Sequence, residues 1–291
     1  MPWVFVLIWS TGFVVARFGM PHAPPMSFLA VRYALSVLCF GVWIAVSRAA
    51  WPSGRMAWLH LAVSGILMHA GYLGGVWAAV KAGLGAGTVA LLVGLQPVLT
   101  ALWVTGRSNQ AGSAPEPAQV SRQQWLGLLL GLVGLTLVVW RKLGVGEVNA
   151  LNLSLALFAL LCITAGTLYQ KRFVAPCDVR TANTVQLLAA CVVTLPLALF
   201  ESETIDWHPH LIGAMVWSVV VLTLGGSSLL YLLIQRGAAT RVTSLSYLVP
   251  PCTAGLAWVL FGESFTPTML AGMALTVVGV ALVVRAPLSR Q

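Results

Sequence analysis

The sequence predicts an all-α integral membrane protein, with ten transmembrane helices arranged as two five-helix repeats of inverted topology. The first observation is composition. Only 8% of the 291 residues are charged against 59% apolar, and mean hydropathy is +0.91. A soluble domain of this length needs far more charge to keep its surface wet. The second is that apolar residues gather in runs such as Met26–Ser47, Leu211–Ile234 and Pro267–Val284. Each approaches the roughly 20 residues that cross a bilayer as a helix. The third is a weak internal repeat, set out below. A transmembrane barrel would instead alternate in polarity over segments of about ten residues, and no such pattern is present.

The runs place spans near 3–20, 26–47, 58–80, 86–105, 124–140, 153–171, 181–200, 211–234, 242–261 and 267–284. Breaks fall at Pro21, Pro24 and Pro25, at Trp51–Arg55, at Gly83–Gly87, at Gly144–Asn149, at Pro176 and at Asp206–Pro209, where turn chemistry is expected. The connection 106–123 is the longest and most polar, with Pro115 and Pro117, and reads as a loop. No charged segment precedes the first apolar run, so that run reads as a first helix and not as a cleaved signal.

Net charge is +9, but the cations lie between apolar runs and form no basic cluster interleaved with aromatics. Nucleic acid is therefore not an expected partner. Eleven of the sixteen Lys and Arg lie in the connections after even-numbered spans or at the C-terminus. Only Arg17, Lys81, Arg141 and Lys142 lie in the odd connections, and Arg32 is inside span two. Glu147, Glu201, Glu203, Asp206 and Glu263 fall in odd connections. The positive-inside rule then puts both termini in the cytoplasm.

The halves resemble one another. Leu95-Gln96-Pro97 in span four matches Leu248-Val249-Pro250 in span nine, and Gly127 and Gly134 in span five match Gly272 and Gly279 in span ten. Arg17-Phe18 after span one resembles Arg172-Phe173 after span six. Five helices is an odd number, so the second half must cross the membrane in the opposite sense. Gly106-Arg107 after span four against Gly262-Glu263 after span nine fits that inversion, with the basic version inside. Inverted repeats around a midplane site are a device of transporters.

Trp9-Ser10-Thr11-Gly12, Arg32 entering span two, the paired Pro97 and Pro250, and Phe261-Gly262-Glu263-Ser264-Phe265-Thr266 before a Gly-rich last helix resemble the EamA-type repeat of the drug/metabolite transporter superfamily. The resemblance covers nearly the whole chain and divides it at 1–149 and 150–291. It implies a multi-pass protein of the bacterial inner membrane and export of small metabolites. Within the superfamily the chain is similar to bacterial exporters of amino acids, the aromatic amino-acid branch among them. Where the repeat would place a second glutamate after span four, this chain has Arg107, so that glutamate is not a symmetric functional element.

Helical spacing selects the residues that could line a solute path. Trp9, His69, Tyr72, Gln96, Thr164, Tyr231, Ser244 and Tyr247 are the substrate-binding candidates, and Pro97 and Pro250 are the gating candidates because proline bends a helix and frees a carbonyl. Spans one, three, four, six, eight and nine should supply the walls. Spans five and ten, with their glycine faces, should pack peripherally or at a dimer contact. Each candidate has a plainer role: Ser and Thr bond their own helix, and Tyr and Trp near helix ends serve the interfacial belt. Two roles fit Arg32, pairing a substrate carboxylate or tying helices together; His69 equally fits a substrate contact or a helix-to-helix bond.

All seven carboxylates fall in connections, so downhill facilitation or exchange is the simplest energetics unless His69 carries protons. An intramembrane enzyme would need a nucleophile–base pair or metal ligands at helical spacing, and a channel a repeated filter; neither is visible. A structural subunit of a larger complex is the remaining rival. The five cysteines lack metal-ligand spacing, and Gly83-Leu84-Gly85-Ala86-Gly87 lacks the strand–helix context of a phosphate loop. No cofactor or metal is expected. The expected partners are a small-molecule substrate and the lipid bilayer, with the chain a monomer or homodimer.

Overall fold

A computed structural model describes residues 2–96, 98–100, 103, 122–144, 146–226, 229, 248–262 and 266–285. Among the described residues there are ten helices and no strand. They are α1 (Pro2–Gly19), α2 (Pro25–Ser47), α3 (Arg55–Lys81), α4 (Ala86–Val93), α5 (Arg122–Gly144), α6 (Ala150–Phe173), α7 (Val179–Leu199), α8 (Pro209–Gly226), α9 (Val249–Phe261) and α10 (Pro267–Arg285). Two of these wind more widely along part of their length, with i→i+5 turns over Ile66–Gly71 in α3 and Trp217–Gly226 in α8.

Helix boundaries follow local chemistry. Prolines open α2, α8, α9 and α10 in their first turn, where the missing N–H costs nothing. Gly262 closes α9 at φ 65° with its N–H on the Trp258 carbonyl, a conformation glycine adopts without strain. Asn149 and Asn152 cap α6 reciprocally, each side chain accepting the other's backbone N–H at 2.9 Å. Asn152 also donates to the Glu147 and Ala82 carbonyls, tying the start of α6 to the end of α3. Replacing Asn152 with alanine is expected to cost about 1–2 kcal/mol, measured as a lower melting temperature of the purified protein in detergent.

The outward faces are apolar. Leu38, Val42 and Val46 on α2, Leu129 and Leu132 on α5, and Val192, Leu195 and Leu199 on α7 are exposed at helical spacing. That inverts the pattern of a water-soluble bundle and suits contact with lipid tails. Five helices are long and apolar enough to cross a membrane: α2, α3, α6, α7 and α8.

Contacts between helices map onto themselves when each helix is exchanged with the one five places along. α2 packs on α7, α4 on α9 and α5 on α10; α1 meets α8 as α6 meets α3, and α1 meets α9 as α6 meets α4. The α5–α10 pair shows the symmetry at atomic detail. Gly134 lies against Gly272 and Thr276, while Gly279 lies against Gly127 and Gly131. Ascending α5 thus descends α10, so the two run antiparallel, and the two glycine contacts exchange under the repeat noted in the sequence. The glycine faces of spans five and ten therefore meet each other inside the chain, and are not left free for a dimer.

One end of the bundle gathers the acids. The N–H groups of Met26 and Ser27 donate to the Glu201 carboxylate at 2.8 Å, and the Gly85 N–H donates to Glu147 at 3.0 Å. Carboxylates there satisfy orphan donors at helix N-termini and meet the positive end of the dipole. Lys81 bridges Glu203 and the Met20 carbonyl. At the opposite end Asp178 caps α7; its hydrogen bonds from Arg180 hold its carboxyl below the usual range.

Candidate functional site

A cavity with about 100 Å³ of free space lies between α1, α2, α3, α6 and α8. α1 contributes Trp9, Gly12 and Phe13; α3 contributes Met68, His69, Tyr72, Leu73, Val76 and Trp77; α8 contributes Leu222 and Thr223. Ile163 of α6 and Arg32 of α2 complete the lining. Most of the wall is aromatic or aliphatic, and its polar groups are few: the Arg32 guanidinium, the His69 imidazole, the Tyr72 phenol and the Thr223 hydroxyl.

The two wide helical segments fall at this cavity and are partners under the exchange of halves. His69 lies in one and Thr223 in the other. Wide turns of this kind concentrate at functional sites because they re-aim side chains and free carbonyls. The Thr223 hydroxyl donates to the Ser218 carbonyl five residues back at 2.8 Å, which turns its oxygen lone pairs toward α2. Arg32 uses them, donating from Nη2 at 3.1 Å and from Nε at 3.4 Å. Arg32 is 7% exposed, and among the described residues no carboxylate pairs with it. The Tyr33 hydroxyl donates to the His69 carbonyl at 2.9 Å, fixing α2 against the wide turn of α3.

Sequence reasoning is met unevenly. Trp9, His69 and Tyr72 come together in the cavity. Gln96 and Thr164 do not line it. Gln96 donates to the Thr167 hydroxyl at 3.0 Å, and the Thr164 hydroxyl donates to the Leu160 carbonyl of its own helix at 2.7 Å. Pro250 stands in the first turn of α9, one residue after its start, with its ring against Gly94, a position where proline is tolerated; the part of span nine before Leu248 lies outside the described residues. Tyr231, Ser244, Tyr247 and Pro97 lie outside the described residues. Spans four and nine, expected in the wall, supply none of its described lining, and α2 enters instead. Arg32 was visible as the one cation inside a span; Thr223 and Leu222 had no signal, because the wide winding of α8 shifts its faces away from ordinary helical phase.

A second polar cluster sits between α3, α6 and α7. The Ser64 hydroxyl donates to Gln170 at 2.9 Å, Gln186 donates to both, and His60 bonds the Tyr169 hydroxyl at 2.8 Å. These groups satisfy one another and hold helices together, a common use of polar side chains within a membrane.

Comparison with known proteins agrees with the fold. A probable amino-acid metabolite efflux pump of Salmonella typhimurium is 24% identical over 285 residues, spanning 94% of this chain and 90% of its own. The uncharacterized inner membrane transporter YedA of Escherichia coli is 25% identical, with 95% and 87% covered. A solved crystal structure superposes with a TM-score of 0.65 over 97% of this chain and 95% of its own at 18% identity, a likeness of fold alone. The EamA-like transporter family model matches twice, over residues 3–140 and 151–285. With ten helices among the described residues, apolar outer faces and both halves matched by that model, the chain belongs to the EamA-like transporter family of membrane proteins.

Proposed function

We propose that this chain exports amino acids with large apolar or aromatic side chains by alternating access, from a bacterial inner membrane with both termini cytoplasmic. The observation that carries the reading is Arg32: a buried guanidinium at the edge of an apolar cavity, with a threonine hydroxyl as its acceptor and no acid beside it among the described residues. A buried cation without a counter-charge is costly, and a substrate carboxylate supplies what is missing. Trp9, Phe13, Tyr72 and Trp77 then offer flat apolar surface to the side chain. Two of the relatives are named as probable amino-acid metabolite efflux pumps, which supports the substrate class and the direction.

The test is exchange in liposomes that contain only this protein. Preloading with unlabelled phenylalanine should accelerate saturable uptake of labelled phenylalanine several-fold. Phenylethylamine, which keeps the ring and lacks the carboxylate, should fail to compete. Competition by the amine equal to that of the amino acid would overturn the role of Arg32. Movement of other metabolites without any amino acid would overturn the substrate class and leave a drug or metabolite efflux carrier.

A further inference from the structure

Away from the cavity, at the end of the bundle where α1 meets α8, three histidines converge from two connections. His22 follows α1, His208 precedes α8 and His210 lies in the first turn of α8. One ring nitrogen from each lies within 4.8 Å of the other two. The rings of His22 and His208 stack with centroids 4.2 Å apart, and His210 stands edge-on to His208 at 4.7 Å. We propose that these three imidazoles form a binding site for a borderline divalent cation of the zinc type, open to water at its fourth position.

Two further features fit ligation. The His22 Nδ1 bonds the Asp206 carboxylate at 3.0 Å, which fixes the ring tautomer and leaves Nε2 as the ligand atom. That carboxylate–histidine arrangement orients metal-bound imidazoles and raises their basicity. The connection carrying Asp206 is itself pinned to His22, since the Asp206 N–H donates to the His22 carbonyl at 2.8 Å. Neutral imidazole is the preferred donor for zinc, copper and nickel. Tetrahedral zinc with Zn–N near 2.0–2.1 Å sets ligand nitrogens about 3.4 Å apart, so the rings need to close by about an ångström and unstack. His208 Nδ1 accepts the His210 backbone N–H at 3.2 Å, a long bond that ligation can displace. His208 and His210 are two residues apart, but the third ligand, His22, comes from a connection far away in the chain, and a lone pair of histidines at that spacing is too little for the sequence to predict a metal.

The position gives the ion a consequence. His22 and His208 with His210 extend from α1 and α8, the helices that carry Trp9, Gly12, Phe13, Leu222 and Thr223 into the cavity. A bound ion would fasten those two helices together at one mouth of the transporter.

Full-length protein without a polyhistidine tag, stripped with chelator, would be titrated with zinc chloride by calorimetry. One ion per chain is expected. Asp206→Asn should weaken binding by about 10–100-fold, and His22→Ala and His210→Ala by more than that, while His60→Ala leaves it unchanged. Melting curves without metal establish that each variant is folded. Zinc should raise the melting temperature of the parent protein and not that of His210→Ala. Equal affinities for the parent protein and for a folded His22→Ala/His210→Ala double variant would overturn the site, as would no saturable binding by the parent. Zinc added outside liposomes should slow exchange by the parent and spare His210→Ala. Binding without slowing would overturn the fastening role, and the binding result stands or falls independently of the substrate.

Discussion

Gly134→Leu and Gly279→Leu are each expected to prevent accumulation of folded protein, and the corresponding alanine variants to lower stability by about 1–3 kcal/mol. A Cβ at Gly134 would lie 2.6 Å from Thr276 Oγ1 and 2.7 Å from the Thr276 nitrogen. At Gly279 it would lie 2.5 Å from the Gly127 carbonyl and from the Gly131 nitrogen. These obstacles are mostly backbone, which cannot swing aside as a side chain can, so the helices must part. In a membrane no hydrophobic force returns them; close van der Waals approach over small residues is much of what joins helices in lipid. Gly255 provides the control. A Cβ there meets nothing within 4 Å, so Gly255→Ala should be neutral or gain up to about 1 kcal/mol of helix propensity. Melting temperatures of the parent protein and the three alanine variants, Gly134→Ala, Gly279→Ala and Gly255→Ala, in one detergent would decide it. If Gly279→Ala melted with Gly255→Ala, the tight crossing of α5 and α10 would be wrong.

The same glycines show what the sequence could and could not disclose. Their repetition at matching places in spans five and ten was legible, because a glycine inside an apolar run is a local signal. That they meet each other was not legible, since the sequence is equally consistent with a face turned outward to a second copy. Helix positions were legible for a physical reason: lipid demands long apolar runs, and most prolines and charges gather at their ends, with Arg32 in α2 and Pro196 in α7 as exceptions. The exception is span four, expected as one unbroken helix over 86–105 but interrupted after Val93 by a turn at Gly94 and Leu95, with helical residues resuming at Gln96. The signal was present, for Pro97 excludes a hydrogen bond to the Val93 carbonyl. In the site, Trp9, His69 and Tyr72 could be found because a polar or aromatic group in mid-span stands out from its neighbours. Thr164 stood out equally and spends its hydroxyl on its own helix. Thr223 could not be separated from such threonines, since its role depends on the wide turn that aims it and on Arg32 across the interface.

Arg32→Met should reduce amino-acid exchange by about thirty-fold or more while leaving the melting temperature unchanged or raised. Loss of one member of a buried, hydrogen-bonded charge pair costs roughly 2–5 kcal/mol of binding, and 2 kcal/mol is about thirty-fold. The stability side has the opposite sign from a structural tie. Removing Arg32 orphans nothing, because the Thr223 hydroxyl keeps its own bond to the Ser218 carbonyl. A methionine of similar length fills the space without the cost of a desolvated guanidinium, and replacing a buried charge by a packed apolar group is often neutral or stabilising. Arg32→Lys should fall between, holding the charge but losing the planar fork that grips a carboxylate. Thr223→Val removes the acceptor and leaves the cation to the substrate, so exchange should survive better than in Arg32→Met. Were Arg32→Met to melt well below the parent protein and exchange at its rate, Arg32 would be a tie between α2 and α8. The carboxylate would then have to be met elsewhere in the cavity, with His69 and Tyr72 the remaining polar groups on its α3 wall.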